Sequence, residues 1–200
     1  MRGLLVTFEG PEGAGKSTQV ELLRSALAAH DPVVTREPGG TPLGEQVREL
    51  LLHSRVDMTP RAEMLLFMAA RAELVDRVVG PALAAGRIVV ADRYHDSTLA
   101  YQGGGRGAEV WWPDWLPRPD RTFLLELPPE VGLERARGRG GAADRLESED
   151  LAFHQAVADA YARLAEAEPD RFVRLDATCP PKALHGAVME SLAGLLERTR

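Results

Sequence analysis

Gly10-Pro11-Glu12-Gly13-Ala14-Gly15-Lys16-Ser17 follows directly on the apolar run Leu4-Leu5-Val6-Thr7-Phe8 and precedes Val20, Leu23 and Leu27 at helical spacing. The octapeptide fits G-x-x-x-x-G-K-[ST] in the strand–loop–helix setting which that pattern requires. Its glycines let successive backbone N–H groups turn inward around phosphate oxygens, and the following helix N-terminus adds positive potential. Lys16 is placed to reach the β- and γ-phosphates of a nucleoside triphosphate, and the Ser17 hydroxyl to ligate Mg²⁺. Composition sharpens the reading. Lys16 and Lys182 are the only lysines among 24 basic residues. A chain that otherwise uses arginine keeps a compact point charge where a planar fork would fit badly.

Outward from this loop, strand and helix patterns alternate. Strands are expected at Leu4–Phe8, Val33–Arg36, Arg87–Asp92, Thr122–Leu127 and Phe172–Leu175. Helices are expected at Lys16–Ala29, Gly44–His53, Pro60–Ala85, Ser97–Gln102, Pro129–Arg137, Glu147–Glu168 and Pro181–Glu197. The stretch Gly138–Arg145 reads as a mobile loop. This order implies an α/β fold with a five-stranded parallel sheet, helices on both faces, and a site at the carboxyl ends of the strands. At 200 residues, with no repeat or linker, one domain over 1–200 is expected.

The remaining totals exclude several classes. Hydrophobic residues make up 44% and charged residues 27%, as in ordinary globular proteins. No apolar run is long enough for a membrane span, and the N-terminal apolar segment is too short for a signal-peptide core. A single cysteine, Cys179, allows neither an internal disulfide nor a multi-cysteine metal site. A cytoplasmic protein with no membrane partner is therefore expected. The net charge of −6 argues against a broad nucleic-acid footprint. Asparagine is absent, which removes the Asn-Lys-x-Asp loop that reads guanine in switch GTPases. Small kinases remain, and these need a second, acceptor pocket.

Three segments suit such a pocket. Thr35-Arg-Glu37-Pro38-Gly-Gly-Thr41 follows the second strand. Phe67 and Arg71 lie four apart on one helix face, where a ring could stack on a planar base and a guanidinium could bond its edge. The alternative is a core phenylalanine beside an arginine that snorkels outward. Asp92-Arg93-Tyr94-His95-Asp96-Ser97-Thr98-Leu-Ala-Tyr101-Gln102 closes the third strand. There Asp92 could support hydrated Mg²⁺ and Arg93 could clamp a phosphate, or the two could simply be an ion pair at a strand end.

Phe8–Ser17, Thr35–Thr41, the Phe67/Arg71 pair, Asp92–Gln102 and Asp144-Arg145-Leu146-Glu147, in this order, resemble the thymidylate kinases. The resemblance spans nearly the whole chain. It implies the nucleoside-monophosphate kinase type of P-loop fold, ATP and dTMP as substrates, Mg²⁺ as cofactor, and a homodimer formed through helices that flank the acceptor site. It implies that Gly10, Pro11, Glu12, Gly13, Ala14, Gly15, Lys16, Ser17 and Thr18 hold ATP, with Ser17 and Asp92 on the metal. Phe67 then stacks on thymine and Arg71 bonds it. Arg93 holds the dTMP phosphate, while Ser97, Thr98 and Gln102 lie near the acceptor and Tyr101 beneath its deoxyribose. Glu12 lies near the 3′-hydroxyl, and Glu37 and Pro38 complete the acceptor side.

The P-loop holds Glu12 and no arginine, whereas Arg135-Ala-Arg137-Gly-Arg139-Gly-Gly-Ala-Ala-Asp144-Arg145 is basic. That pattern resembles the bacterial branch, in which a lid, here about 138–146, brings arginines over ATP. Arg137, Arg139 and Arg145 are the candidates for neutralising charge during transfer. Two other readings remain at this point: a deoxynucleoside kinase or other small P-loop kinase, and a nucleotide-binding module without activity. Trp111, Trp112 and Trp115 read as a packing or surface-capping cluster.

Overall fold

The computed structural model describes residues 2–54, 56–138, 140 and 143–197. In it β1 (Leu4–Glu9), β2 (Val33–Arg36), β3 (Ile88–Asp92), β4 (Arg121–Glu126) and β5 (Phe172–Asp176) form one sheet in the order β2-β3-β1-β4-β5. Every pairing is parallel. β1 is central, so the loop that follows it opens in the middle of the carboxyl edge. Phe8 pairs with Asp92 of β3 in register, which sets the end of β3 beside that loop. Among the described residues no helix is long and apolar enough to cross a membrane.

Strand alternation divides β1 between the two faces. Leu4, Val6 and Phe8 pack with Val20, Leu23 and Leu27 of α1 (Lys16–Ala26) and with Val188 and Leu192 of α8 (Pro181–Glu197). Leu5, Thr7 and Glu9 face the other side, where Leu5 meets Leu74, Val79 and Leu83. Glu9 is thereby aimed, fully buried, at the helices of the acceptor side.

Several helix boundaries differ from expectation. α1 ends at Ala26, and Ala28–His30 forms a separate 3₁₀ turn. α2 runs Pro42–Leu52, because the Thr41 hydroxyl accepts the Gly44 N–H and Pro42 suits the first turn. The expected long helix from Pro60 is continuous but not uniform. α3 (Pro60–Leu74) passes through a π turn at Val75–Val79 into α4 (Gly80–Ala84). Pro81 cannot donate a ladder bond and crowds the preceding turn, so the ladder widens there. α7 starts at Leu151 rather than near Glu147, since Asp150 caps the Phe153 N–H.

The helix expected at Ser97–Gln102 begins earlier, as α5 (His95–Thr98), and continues as a π turn through Leu99–Gly105. Its glycines are needed for packing. A Cβ on Gly105 would lie 2.5 Å from the Phe153 ring, and one on Gly104 would collide with Ala160. The segment therefore lies flat on α7 (Leu151–Ala167), holding Tyr101 and Gln102 at a fixed depth. α6 (Pro129–Gly138) follows β4 and leads into the lid segment.

Candidate active site

The Gly10–Ser17 loop closes on Lys16. The lysine Nζ donates to the carbonyls of Gly10 at 3.1 Å and Pro11 at 2.8 Å. Burial pushes its ammonium down to about 8, and the Arg93 charge acts in the same direction. It remains protonated at neutral pH. Gly15, with no side chain, caps α1, so the first helical N–H groups are left facing the loop. The loop sits directly on α6. A Cβ on Gly13 would overlap the Gly132 carbonyl, and one on Gly132 the Glu12 carbonyl. Glu12, Gly13, Ala14, Gly15, Lys16, Ser17 and Thr18 line a cavity of about 390 Å³, and Gly10 and Pro11 are not among its lining residues.

Ser17 and Asp92, the two expected metal ligands, meet. Ser17 Oγ donates to Asp92 Oδ2 at 2.6 Å, and both line the cavity. Two hard oxygens at a phosphate loop fit Mg²⁺, which keeps waters and phosphate oxygens rather than an all-protein cage. Among the described residues no cluster of three or more His, Cys, Asp or Glu side chains could hold a metal.

Arg93 adopts a left-handed backbone, φ 69°, unusual for a residue with a side chain. Its N–H donates to Phe8 O at 3.0 Å, and the turn swings its guanidinium into the cavity. Nη2 donates to Glu12 Oε1 at 2.6 Å and to the Tyr101 hydroxyl at 3.0 Å, while Nη1 reaches Gly10 O, Ser97 Oγ and Tyr161 Oη. The guanidinium also lies 4.9 Å from the Tyr101 ring centre. The loop thus meets the acceptor side through Arg93 and through the Tyr101 hydroxyl, which donates to Glu12 Oε1 at 2.8 Å.

Phe67, Glu37, Pro38, Ser97, Thr98, Tyr101 and Gln102 line the same cavity. Arg71 does not. It is 1% exposed, and its Nε donates to Glu37 Oε2 at 2.7 Å, its Nη2 to Tyr94 O at 3.1 Å, with His95 Nδ1 3.1 Å from Nη1. Arg71, expected at the base edge, is thus held from behind by these partners and is not among the residues lining the cavity. Buried among acceptors, its charge holds Glu37 from behind. Burial raises the Glu37 carboxyl pKa, and Arg71 opposes the rise.

The lid arginines divide. Arg137 is exposed in the last turn of α6. Arg139 lies outside the described residues. Arg145, expected over the phosphates, turns away: Nη1 lies 2.6 Å from Glu63 Oε2, and Nε donates to Leu51 O at 2.8 Å. The reason is a buried carboxylate within reach, which binds a guanidinium more strongly than open solvent does. Asp144, Leu146 and Glu147 nevertheless line the cavity. The tryptophans behave largely as expected. Trp112 packs edge-on to His95, ring centres 4.6 Å apart, and under Arg118, while Trp111 and Trp115 are exposed.

Three buried residues were missed by sequence reasoning. Glu9 accepts from the Tyr94 N–H at 2.7 Å, Ser97 Oγ at 2.6 Å and Tyr161 Oη at 2.8 Å. Burial raises its carboxyl to about 7, reinforced by Asp96. The signal was a carboxylate closing an otherwise buried strand. Glu63 is 1% exposed and precedes Phe67 and Arg71 at spacings of four, so it shares their helix face. Tyr161 offered no comparable signal.

The thymidylate kinase family model matches residues 8–188. A thymidylate kinase of Thermomicrobium roseum is 48% identical, over 98% of this chain and 97% of the relative. One of Pseudomonas entomophila is 49% identical over the full length of both. The crystal structure of the Ehrlichia chaffeensis thymidylate kinase superposes with a TM-score of 0.75 at 29% identity, covering 96% of this chain and 99% of that one. The match runs through the phosphate loop, the Arg93 turn and the Phe67 pocket alike, and the chain belongs to the thymidylate kinase family.

Proposed function

We propose that the protein transfers the γ-phosphoryl group of ATP to dTMP, giving dTDP and ADP. The observation that carries this reading is that Lys16, Arg93 and Phe67 open into one cavity, so a triphosphate site and a flat acceptor pocket share a wall. The loop N–H groups and Lys16 hold the triphosphate. Arg93 holds the acceptor phosphate, supported by Ser97, Tyr101 and Tyr161. Phe67 stacks on the base, Tyr101 lies under the sugar with Glu12 beside it, and Thr98 and Gln102 meet the base edge. Glu37 and Pro38 close that end.

A phosphate oxygen of dTMP attacks the γ-phosphorus as the bond to the β-bridging oxygen breaks. The acceptor is already anionic, so no general base is needed. Ser17 and Asp92 would hold Mg²⁺, which would supply charge neutralisation on the triphosphate. Arg137 and Arg139 carry further charge over the site as water is excluded. The 2.6 Å bond from Arg145 to Glu63 favours a different task for Arg145, anchoring the root of the lid.

We further propose a homodimer through α2 and α3, which pack together and expose Leu43, Leu50 and Leu65. The reaction belongs in the cytoplasm, in accord with a free, exposed Cys179. A phosphorus NMR spectrum of protein, ATP, Mg²⁺ and dTMP should develop dTDP and ADP together. ADP and free phosphate without dTDP would contradict the proposal.

A further inference from the structure

Gln102 meets two very different neighbours. On one side is the cavity it lines. On the other is Glu63, which is 1% exposed and is not part of the lining. The Gln102 Nε2 donates to Glu63 Oε1 at 2.8 Å. Arg106 Nε lies 3.5 Å from the same oxygen, and Arg145 Nη1 lies 2.6 Å from Oε2. A carboxylate held between two guanidinium groups offers only acceptor atoms. An amide beside it must therefore present nitrogen, not oxygen, and its orientation is fixed by chemistry. Among the described residues no hydrogen bond uses Gln102 Oε1, so the oxygen is the amide atom left to the cavity. Thr98 Oγ, in the same wall, is buried without a partner.

We infer that Glu63 is a positioning residue that locks the Gln102 amide with its oxygen toward the acceptor base, so that the site takes pyrimidines carrying an N–H at ring position 3 and rejects those carrying a lone pair there. The inference rests on the proposed base pocket. Thymine and uracil are imides, and their N3–H donates to such an oxygen. Cytosine would set its N3 lone pair against Oε1 and leave both unpaired in a dry pocket. Sites built around a buried hydrogen bond discriminate strongly for this reason. The 5-methyl group is not read by this device.

The test measures kcat/KM for dTMP, dUMP and dCMP at saturating ATP, in wild type, Gln102→Ala, Glu63→Gln, and the swap Glu63→Gln/Gln102→Glu. In Glu63→Gln the neighbouring amide is free to invert. The dTMP:dCMP ratio should then fall by at least about 10-fold, while the dTMP:dUMP ratio stays within about 2-fold. In the swap, Gln at 63 can accept from Arg145 and donate to Glu at 102, whose second oxygen again faces the base. Discrimination against dCMP should return. A purely structural role for Glu63 would depress all three acceptors together and leave both ratios unchanged, which overturns the inference. If Glu63→Gln does not fold, by circular dichroism and ATP KM, the swap decides: retained discrimination supports the inference and lost discrimination overturns it. If Gln102→Ala leaves the dTMP:dCMP ratio at the wild-type value, the base-pocket reading fails as well. If Gln102→Ala lowers the ratio and Glu63→Gln does not, only the role of Glu63 fails.

Discussion

The Ser17 hydroxyl donates to Asp92 Oδ2 at 2.6 Å, joining the first turn of α1 to the end of β3. Parallel pairing of β1 with β3, with Phe8 opposite Asp92, makes this contact possible across the chain. It sets two oxygens where a metal-bound triphosphate would lie.

Asp92→Asn keeps the shape and removes the charge. The Mg²⁺ concentration for half-maximal rate should rise by about 10–100-fold, the usual effect of disturbing a ligand or its support. An unchanged Mg²⁺ dependence would remove Asp92 from the metal site.

Lys16 lies within 3.1 Å of two loop carbonyls, so it shapes the loop as well as charging it. Lys16→Ala should lower kcat by well over 10-fold, about 1.4 kcal/mol of barrier. Thermal unfolding compares the folds of the two proteins. A variant of normal stability that keeps more than about a tenth of the rate would exclude Lys16 from transfer.

The Glu9 carboxyl, raised by burial from an ordinary 4.5 to about 7, predicts a specific pH dependence of stability. The folded state holds a proton that the unfolded state releases near 4.5. This contribution is complete below 4.5 and is lost as pH rises through about 7. Glu9→Gln cannot release that proton. The Tm of Glu9→Gln minus that of wild type should therefore increase as pH rises from 4.5 to about 7, most steeply between those two values, and level off above them. A difference that is flat with pH would mean that Glu9 is ionised throughout.

The lid arginines should separate by role. Arg137→Ala/Arg139→Ala should lower kcat far more than it raises the dTMP KM, the pattern of an interaction made mainly in the transition state. Arg145→Ala leaves Glu63 without its 2.6 Å partner and should lower Tm. Arg106 and Gln102 remain on Glu63, so the loss should stay below the about 3–5 kcal/mol of a buried charge left with no partner. If Arg145→Ala reproduces the kcat loss at unchanged Tm, Arg145 belongs over the phosphates after all.

What the sequence made legible was local. The phosphate loop is a contiguous motif between a strand and a helix, and each of the five strands is a short apolar run. The acceptor lining was legible through spacing on single elements, Phe67 on α3 and Ser97 to Gln102 after β3. What the sequence does not show is long-range partners. The spacing of Arg71 from Phe67 is visible, whereas the carboxylate that holds it lies 34 residues away. Arg145 stands among basic neighbours in the sequence, while its partner Glu63 comes from another helix. Glu9 was passed over because it serves Ser97 and Tyr161, contacts that exist only once β1, α5 and α7 have packed.

The most direct test of the account compares dTMP with thymidine as acceptor for ATP and Mg²⁺, in wild type and Arg93→Ala. Arg93 lines the cavity and donates to Glu12 at 2.6 Å, so it is placed to hold a phosphate beside the loop. Charge-assisted bonds contribute about 1.5–3 kcal/mol each, so wild type should use dTMP on the order of 1,000-fold better than thymidine in kcat/KM. Arg93→Ala should remove most of that advantage, with the ATP KM within about 2-fold of wild type. Thymidine used as readily as dTMP, or equal losses toward ATP and dTMP in Arg93→Ala, would contradict a monophosphate kinase built around this arginine.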